Sequence, residues 1–252
     1  MQWMTVLTAV AHTALLIFVI GVIYRLARWF RASSSTNFRA QGLSFGEWVK
    51  VIANVFLDLV FMRKVFRSDE VFGTVVWLMH MVVLVLLVGH LRAFGVWSAE
   101  AIGEGPRWLF LGLIPTALGW LLFFFLLFLF VRRVRLTPAR SMLTLGDVVL
   151  YALLLSGVLC GNLMRLLPTS HEAFQWRIFP WLTLSLEHAP NLAAFSLHVV
   201  LLSALLAYLP FSPLVHIFSG IVSSILHYKW RLQVAKYSLG GVSLEEEERS
   251  FT

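Results

Sequence analysis

Four of the eight histidines of this chain lie within two apolar stretches: His80 and His90 in one, His198 and His216 in the other. Ten residues of α-helix rise about 15 Å and eighteen about 27 Å, so each stretch would carry one histidine toward each of its ends. Ionisable groups inside a membrane are functional candidates, and neutral imidazole nitrogens are common axial ligands of haem iron. Because the single cysteine, Cys160, cannot form an internal disulfide or an iron–sulfur cluster, any redox chemistry must depend on histidine.

The composition of the 252 residues predicts that a membrane surrounds these histidines. The chain is 59% apolar and only 13% charged, with a mean hydropathy of +0.82, whereas soluble domains average about 25% charged residues. This composition excludes a cytosolic globular enzyme, a disordered chain and a nucleic-acid-binding protein. The net charge of +7 therefore bears first on orientation in the membrane.

Five segments are apolar over the roughly 20 residues that a helix needs to cross the hydrocarbon core. They are approximately 3–24, 71–91, 108–131, 145–166 and 190–220. The first has no basic residue before it and is too long for the core of a signal peptide, so we expect a retained helix. The predicted fold is all-α, an integral membrane five-helix bundle.

The basic residues predict the orientation of this bundle. Sixteen of the twenty Lys and Arg residues fall on one side of the predicted spans and four on the other. The positive-inside rule then places the N-terminus outside and the C-terminus in the cytoplasm of a multi-pass protein of the cell inner membrane.

The remaining segments predict a simple domain organisation. Residues 1–225 form the membrane domain, and 226–252 form a cytoplasmic tail. The cytoplasmic connection 31–70 contains an apolar stretch, about 44–62, whose three charged residues favour an interfacial helix over a sixth span. The external loop 167–189, with two prolines and two tryptophans, is expected to form a short structured cap.

The predicted topology matches the histidines in two levels. The second and fifth spans run in opposite directions, so His80 is level with His216 on the inner side and His90 with His198 on the outer side. Two histidines facing each other across a bundle form the ligand set of a six-coordinate haem. The two axial spacings differ by about 12 Å on ideal helices, and His80 and His90 lie about 80° apart around theirs, so helix tilt must absorb the mismatch. Four separate polar residues joining helices remain an alternative.

The other four histidines have less specific positions. His12 lies in the first span without a partner at a suitable spacing, so we interpret it as a hydrogen-bonded helix residue. His171 and His188 in the external loop and His227 beyond the last span are interpreted as solvated surface residues.

Several further residues could contact a haem. Gly89 precedes His90, and Gly157 and Gly161 lie in the fourth span, where a missing side chain would let a flat macrocycle approach, although glycine is also common in ordinary helix packing. Arg92 and Arg165 lie near the outer span ends, where a guanidinium could pair with haem propionates or simply reach the lipid headgroups.

The pattern of the last and second spans resembles the respiratory nitrate reductase gamma subunit family. The resemblance rests on five features and covers about 70–220 in order. They are Phe195-Ser-Leu-His-Val-Val, Leu209-Pro-Phe-Ser-Pro-Leu-Val-His-Ile-Phe-Ser219, Val88-Gly-His90 with His80 ten residues earlier, the Arg132-Arg133 pair, and Gly146-Asp147 at the start of span four.

The resemblance implies a five-helix membrane anchor. In that family, the matching His80, His216, His90 and His198 bind two b-type haems non-covalently, and the subunit exchanges electrons between membrane quinol and a cytoplasmic iron–sulfur subunit. A quinone such as menaquinone would be the exchangeable substrate. The family's basic residue at the outer start of the third helix falls on Arg107, which is lysine in nitrate reductases, so Arg107 is the candidate quinone contact.

Other features resemble a related branch. The long 31–70 connection, Arg63-Lys64-Val-Phe-Arg67 and Gly161-Asn-Leu-Met-Arg165 are similar to the membrane subunits of sulfite-reduction-associated (DsrM-type) and heterodisulfide-reductase-like complexes. The implied partner is an iron–sulfur subunit of the DsrK or heterodisulfide reductase type, or one like the nitrate reductase beta subunit. The basic connection and Glu245–Glu248 are candidate docking features, or equally a positive-inside loop and a solvated tail.

The predicted function is thus a membrane cytochrome b subunit of a respiratory redox complex, the quinol- or quinone-reactive part of a multi-subunit oxidoreductase. Two alternatives stay open: a proton-coupled transporter whose histidines relay protons, and a cofactor-free membrane anchor of a cytoplasmic enzyme. We expect the quinone site at the outer face beside the haem of His90 and His198, since a quinol must release two protons as its electrons leave.

Overall fold

The computed structural model describes residues 2–33, 43–62, 66, 69–136, 140–141 and 143–239. These ranges are mainly helical. The helices are α1 (Gln2–Ser33), α2 (Phe45–Phe61), α3 (Glu70–Ala93), α4 (Ile114–Arg135), α5 (Leu145–Leu166), α6 (Leu192–Tyr208) and α7 (His216–Leu239). A turn of π-helix, Trp108–Leu113, leads directly into α4, and an antiparallel hairpin joins α5 to α6 through β1 (Phe174–Phe179) and β2 (Leu182–Leu186).

Five of these helical segments are long and apolar enough to cross a membrane. They are Gln2–Trp29, Glu70–Ala93, Trp108–Arg135, Leu145–Leu166 and Leu192–Phe211. The predicted five-helix, all-α membrane fold is therefore confirmed, and the chain is a multi-pass membrane protein. The orientation of its termini stays a prediction.

The fifth span is shorter than the sequence indicated. The predicted segment 190–220 is not one helix: α6 ends at Tyr208, two short 3₁₀ turns follow, and α7 begins at His216. Pro210 and Pro213 explain the break, because proline lacks the N–H that an α-helix needs and its ring clashes with the preceding turn. Arg25 Nε donates a 3.0 Å hydrogen bond to the carbonyl of Pro210, and Ser212 Oγ donates one of 2.9 Å to the carbonyl of Leu209. Two carbonyls at the break are thus satisfied.

The chain divides into two compact units. The first comprises Met1–Arg25 and Thr74–Pro213, and the second comprises Leu26–Gly73 and Leu214–Thr252. The first unit holds most of the spanning length, whereas the second holds α2 and α7.

Within the first unit, α3, α4 and α5 pack together around a shared apolar cluster. Its buried members are Val82, Leu122 and Leu126. The side chains packed against them come from all three helices: Met79, Leu86, Leu118, Phe125, Leu154, Leu155 and Val158. This cluster fixes the register of the three helices relative to one another.

The hairpin closes one end of the first unit, which we call the hairpin end. Phe174, Trp176 and Leu184 from its strands pack with Leu7 of α1 and Phe195 of α6. The indole nitrogen of Trp176 also donates a 2.8 Å hydrogen bond to the hydroxyl of Thr8. The cap expected in the loop 167–189 is thus a β-hairpin.

The second unit pairs α2 with α7. A capping box begins α2, since the Ser44 hydroxyl accepts from the backbone N–H of Glu47 and the Glu47 carboxylate accepts from that of Ser44. The Tyr228 hydroxyl of α7 donates a 2.7 Å hydrogen bond to the carboxylate of Asp58. A helix therefore occupies the predicted range 44–62, and its position at the membrane surface stays a prediction, as do the domain boundaries at 225 and 226.

Candidate haem-binding site

Two of the four candidate ligands lie on α3 and are oriented by their own helix. His80 Nδ1 lies 2.7 Å from the carbonyl oxygen of Val76, and His90 Nδ1 lies 2.7 Å from that of Leu86. In each case, the acceptor is the backbone carbonyl four residues earlier. The rings therefore have a fixed orientation without help from another helix.

The third ligand is oriented across a helix interface. His198 Nδ1 on α6 lies 2.8 Å from the carbonyl oxygen of Gly157 on α5. A Cβ added at Gly161, one turn along α5, would come within 3.1 Å of His198 Cε1. Gly161 thus gives the imidazole room to lie against the α5 backbone, and Gly157 supplies the carbonyl that binds it.

These contacts determine which ring nitrogen is available for a metal. A carbonyl oxygen can only accept, so Nδ1 carries the proton in His80, His90 and His198, and Nε2 keeps its lone pair. Among the described residues, no hydrogen bond is made to Nε2 of these three rings. Histidines that ligate metals commonly donate their other N–H to a carbonyl in this way.

Polar groups lie next to the apolar cluster of α3, α4 and α5. Leu86, Leu118 and Val158 pack against the same cluster. His90 on α3 and Asn162 on α5 follow Leu86 and Val158 by one turn, and Gly119 follows Leu118 on α4. A Cβ on Gly119 would collide with Asn162 Oδ1, so Asn162 packs directly against α4. We call His90, Gly119, Asn162 and His198 the His90 layer.

His198 belongs to the His90 layer because its ring lies against Gly161, the neighbour of Asn162. His198 and His90 also lie near enough to each other for a charge on one ring to affect the other. The two predicted ligands of the outer haem therefore lie in one compact unit and interact, as the pairing requires. Their joint ligation of one iron stays a prediction.

The other predicted pair is described only in part. His80 is half-buried in the first unit, whereas His216 begins α7 in the second. The side chain of His216 lies outside the part of the chain that the structure describes. The pairing of His80 with His216 stays a prediction.

Residues of the described ranges form no group of three or more His, Cys, Asp and Glu side chains that could hold a metal ion. Haem iron needs only two protein ligands, because the porphyrin supplies the other four. The oriented imidazoles, each with an unprotonated Nε2, therefore fit the binding of haem.

The arginines predicted to contact cofactor or quinone have different surroundings. Arg92 pairs with Glu187 at 2.8 Å, and Arg165 donates a 3.4 Å hydrogen bond to the carbonyl of Leu111 in the π-helical turn. Arg107 Nε is buried and has no hydrogen-bond partner within the described ranges. Arg107 is thus the one of the three with a buried nitrogen still able to donate.

Gly89 differs from the α5 glycines. A Cβ added at Gly89 would meet no atom within 4 Å, whereas one at Gly157 would approach Leu202 to 3.2 Å. Open space at Gly89 is compatible with a bound macrocycle beside His90. The role of Gly89 stays a prediction.

The remaining histidines contact aromatic rings. The His12 ring meets that of Phe179 edge-on at 4.4 Å, and the rings of His171 and His188 meet edge-on at 6.0 Å at the hairpin base. His227 is exposed on α7, with its ring 5.5 Å from that of Tyr228.

The opposite end of the first unit, which we call the Arg133 end, carries an ion pair whose carboxylate is buried. Asp147 is 4% exposed and accepts hydrogen bonds from Arg133 at 3.1 Å and from the Thr144 backbone and hydroxyl at 2.9 Å each. The Tyr208 hydroxyl of α6 donates to the carbonyl of Gly146 at 3.1 Å. These contacts join the ends of α4, α5 and α6.

Comparison with known proteins agrees with these features. The chain is 27% identical over 248 residues to the Hdr-like menaquinol oxidoreductase cytochrome b-like subunit of Archaeoglobus fulgidus, a match that covers 82% of this chain and 74% of the relative. No solved structure matches. The nitrate reductase gamma subunit family matches residues 66–236, which include all four predicted ligands and the whole of α3 to α6. The chain is therefore a member of the nitrate reductase gamma subunit family.

Proposed function

We propose that this protein is the membrane cytochrome b subunit of a menaquinol-reactive oxidoreductase complex, in which His90 with His198 and His80 with His216 hold two b-type haems. The main support for this proposal is that His80, His90 and His198 each bind a backbone carbonyl through Nδ1, which leaves Nε2 available to a ligand. The relative in Archaeoglobus fulgidus, described as a menaquinol oxidoreductase cytochrome b-like subunit, supports the choice of quinol.

Haem bound at these histidines would supply a one-electron carrier on each side of the membrane. The chain's own contribution is orientation: the carbonyls of Val76, Leu86 and Gly157 hold the three imidazole rings through Nδ1. A neutral imidazole on an exposed helix surface is costly in hydrocarbon unless something covers it. The exposure of His90 therefore supports a group bound against α3.

Arg107 is the proposed quinone contact. Its buried Nε retains an unused N–H, and a guanidinium can donate to a quinone oxygen through a fixed fork. Quinol oxidation releases two protons and two electrons, and with the N-terminus outside, a site near Arg107 would deliver the protons to the external phase. Arg107→Ala is expected to slow reduction of the His90–His198 haem by a quinol analogue about threefold to tenfold. This is the effect expected from losing one or two hydrogen bonds to the quinone.

Unchanged haem spectra in Arg107→Ala would show that the variant is folded. Wild-type rates of reduction would place the quinone away from Arg107. Arg177→Ala in β1 is a matched control, since Arg177 is an exposed arginine on the hairpin.

The proposed partner is a cytoplasmic iron–sulfur subunit of the DsrK, heterodisulfide reductase or nitrate reductase beta type. The acidic run Glu245–Glu248 and the basic residues Arg63, Lys64 and Arg67 of the connection lie outside the described residues. Support for a partner therefore comes from family membership. Deletion of 240–252 is expected to lower the yield of co-purified partner. Full retention would show that this tail does not dock it.

The optical spectrum of the purified chain tests the proposed function. A reduced-minus-oxidised spectrum of b-type haem, with two haems per chain by pyridine haemochrome, is the expected result. A chain that folds in detergent with no haem would contradict the proposal and leave a transporter or a cofactor-free anchor as the function.

A further inference from the structure

Asn162 is a buried amide in a spanning helix, and the proposed function does not use it. Its side chain is 3% exposed, and its Nδ2 has no hydrogen-bond partner in the described part of the chain. Buried polar groups in proteins nearly always have a partner, and in hydrocarbon no water replaces a missing one. An amide N–H buried without a protein acceptor is therefore a position at which a bound ligand is expected to accept.

The fold makes space for this amide. Gly119 on α4 is itself buried, and a Cβ there would collide with Asn162 Oδ1 and come within 3.7 Å of Nδ2. The oxygen thus lies against the α4 backbone, where a glycine Cα–H can make a weak contact with it, and the nitrogen lies on the side away from Gly119. Glycine at 119 permits the close approach of α4 to Asn162.

The position of Asn162 relative to the candidate haem ligands follows from two independent contacts. Through the α3–α4–α5 cluster, Asn162 stands one turn beyond Val158 as His90 stands one turn beyond Leu86. Through α5 itself, Asn162 follows Gly161, on which the ring of His198 lies. The ring of His198 therefore lies beside the turn of α5 that carries the unpaired amide, and His90 lies one turn beyond the shared cluster on α3.

We infer that Asn162 Nδ2 donates a hydrogen bond to an oxygen atom of the ligand bound in the His90 layer. The inference rests on the proposed function. The acceptor has one chemistry, a carbonyl or carboxylate oxygen, and two possible sources: the ring carbonyl of a quinone or the propionate of the haem held by His90 and His198.

The test uses the full-length protein in detergent or nanodiscs with Asn162→Leu, which keeps a similar volume and removes the donor. Gly119→Ala is a second variant, because its new methyl displaces the amide without changing it. Gly112→Ala is the matched control on the same segment, since a Cβ there meets no atom within 4 Å. Haem content, the reduction potential of each haem and the binding of a menaquinone analogue are measured in every variant.

If the acceptor is a quinone, Asn162→Leu and Gly119→Ala weaken analogue binding about threefold to tenfold at unchanged haem potentials. If it is a propionate, one haem potential falls, because a carboxylate that has lost a donor leaves more negative charge near the iron, and analogue binding is unchanged. Gly112→Ala matches wild type in either case.

Wild-type binding and wild-type potentials in Asn162→Leu, with two haems retained, would overturn the inference and leave the proposed function intact. Loss of haem from Asn162→Leu alone is resolved by Asn162→Ser, which keeps a donor: restored haem content with a shifted potential or weakened analogue binding supports the inference, and restored content with neither effect overturns it. A wild-type protein without haem would overturn the proposed function first.

Discussion

Polar groups in two parts of the first unit, the Arg133 end and the His90 layer, differ in how far the protein supplies their hydrogen-bond partners. At the Arg133 end, the carboxylate of Asp147 accepts three hydrogen bonds from Arg133 and Thr144, and only Arg133 Nε is left without a partner among the described residues. In the His90 layer, the described residues leave Nε2 of both histidines and Nδ2 of Asn162 without one.

The difference separates positioning from binding. Charged groups that satisfy one another can join helix ends without a ligand. Donors and lone pairs without a partner are costly in hydrocarbon unless a ligand pairs with them. The Arg133 end therefore sets the positions of α4, α5 and α6, whereas the His90 layer is the part that we expect to hold a ligand. Variants at the two ends are expected to change different properties.

The largest effect is expected from the ligands themselves. His90→Ala and His198→Ala should each remove one haem completely and leave the second, because a six-coordinate haem loses half its protein ligation. His12→Ala is a control within the first span, since its ring contacts Phe179. Haem per chain by pyridine haemochrome is the measurement, and two haems remaining in either ligand variant would contradict the assignment.

A large effect on stability is expected at the Arg133 end. Asp147→Ala removes the buried partner of Arg133 and the cap of α5 together, which should lower the free energy of unfolding by about 2–3 kcal/mol after allowance for the partly exposed arginine. Unfolding in mixed micelles gives the value. The haems bound per folded chain should not change, and loss of haem at unchanged stability would reverse the roles of the two ends.

A smaller effect on haem affinity is expected at Gly161, against which the His198 ring lies. Gly161→Ala places a methyl 3.1 Å from His198 Cε1, so the ring must move and its bond to Gly157 lengthen. Loss of such an orienting contact typically lowers the affinity of a metal site at least tenfold. Haem retention during dilution measures it, with Gly112→Ala as the control, and wild-type retention in Gly161→Ala would show that the ring has other support.

The smallest effect is expected in the second unit, outside both ends. Tyr228→Phe removes the hydrogen bond to Asp58 that joins α7 to α2, worth about 1 kcal/mol. Faster amide hydrogen exchange in Phe45–Phe61 should result, with haem content unchanged. Unaltered exchange would mean that apolar contacts hold α2 by themselves.

Hydropathy predicted the five spans because each span is a continuous apolar stretch of about 20 neighbouring residues. The same property could not place the end of α6, which Pro210 and Pro213 set by removing backbone donors. The loop 167–189 was predicted as a cap, but pairing of Phe174 with Leu186 depends on contacts that hydropathy does not record.

The site was predicted as far as spacing along single helices allows. His80, His90 and His198 were singled out because ionisable residues are rare in spans, whereas Asn162 entered the sequence analysis only within Gly161-Asn-Leu-Met-Arg165. Its packing against Gly119, 43 positions earlier, and the hydrogen bond of His198 to the carbonyl of Gly157 appear only in the structure. Contacts between helices of this kind carry no periodic signal in the sequence.

The pairing of His90 with His198 on one iron is the central claim, and counting haems in combined variants tests it most directly. If both histidines hold the same haem, His90→Ala/His198→Ala should retain one haem per chain, the same as either single variant, while His80→Ala/His90→Ala should retain none. A His90→Ala/His198→Ala protein that is folded and carries no haem, while each single variant carries one, would show that the two histidines serve different irons and would contradict the account.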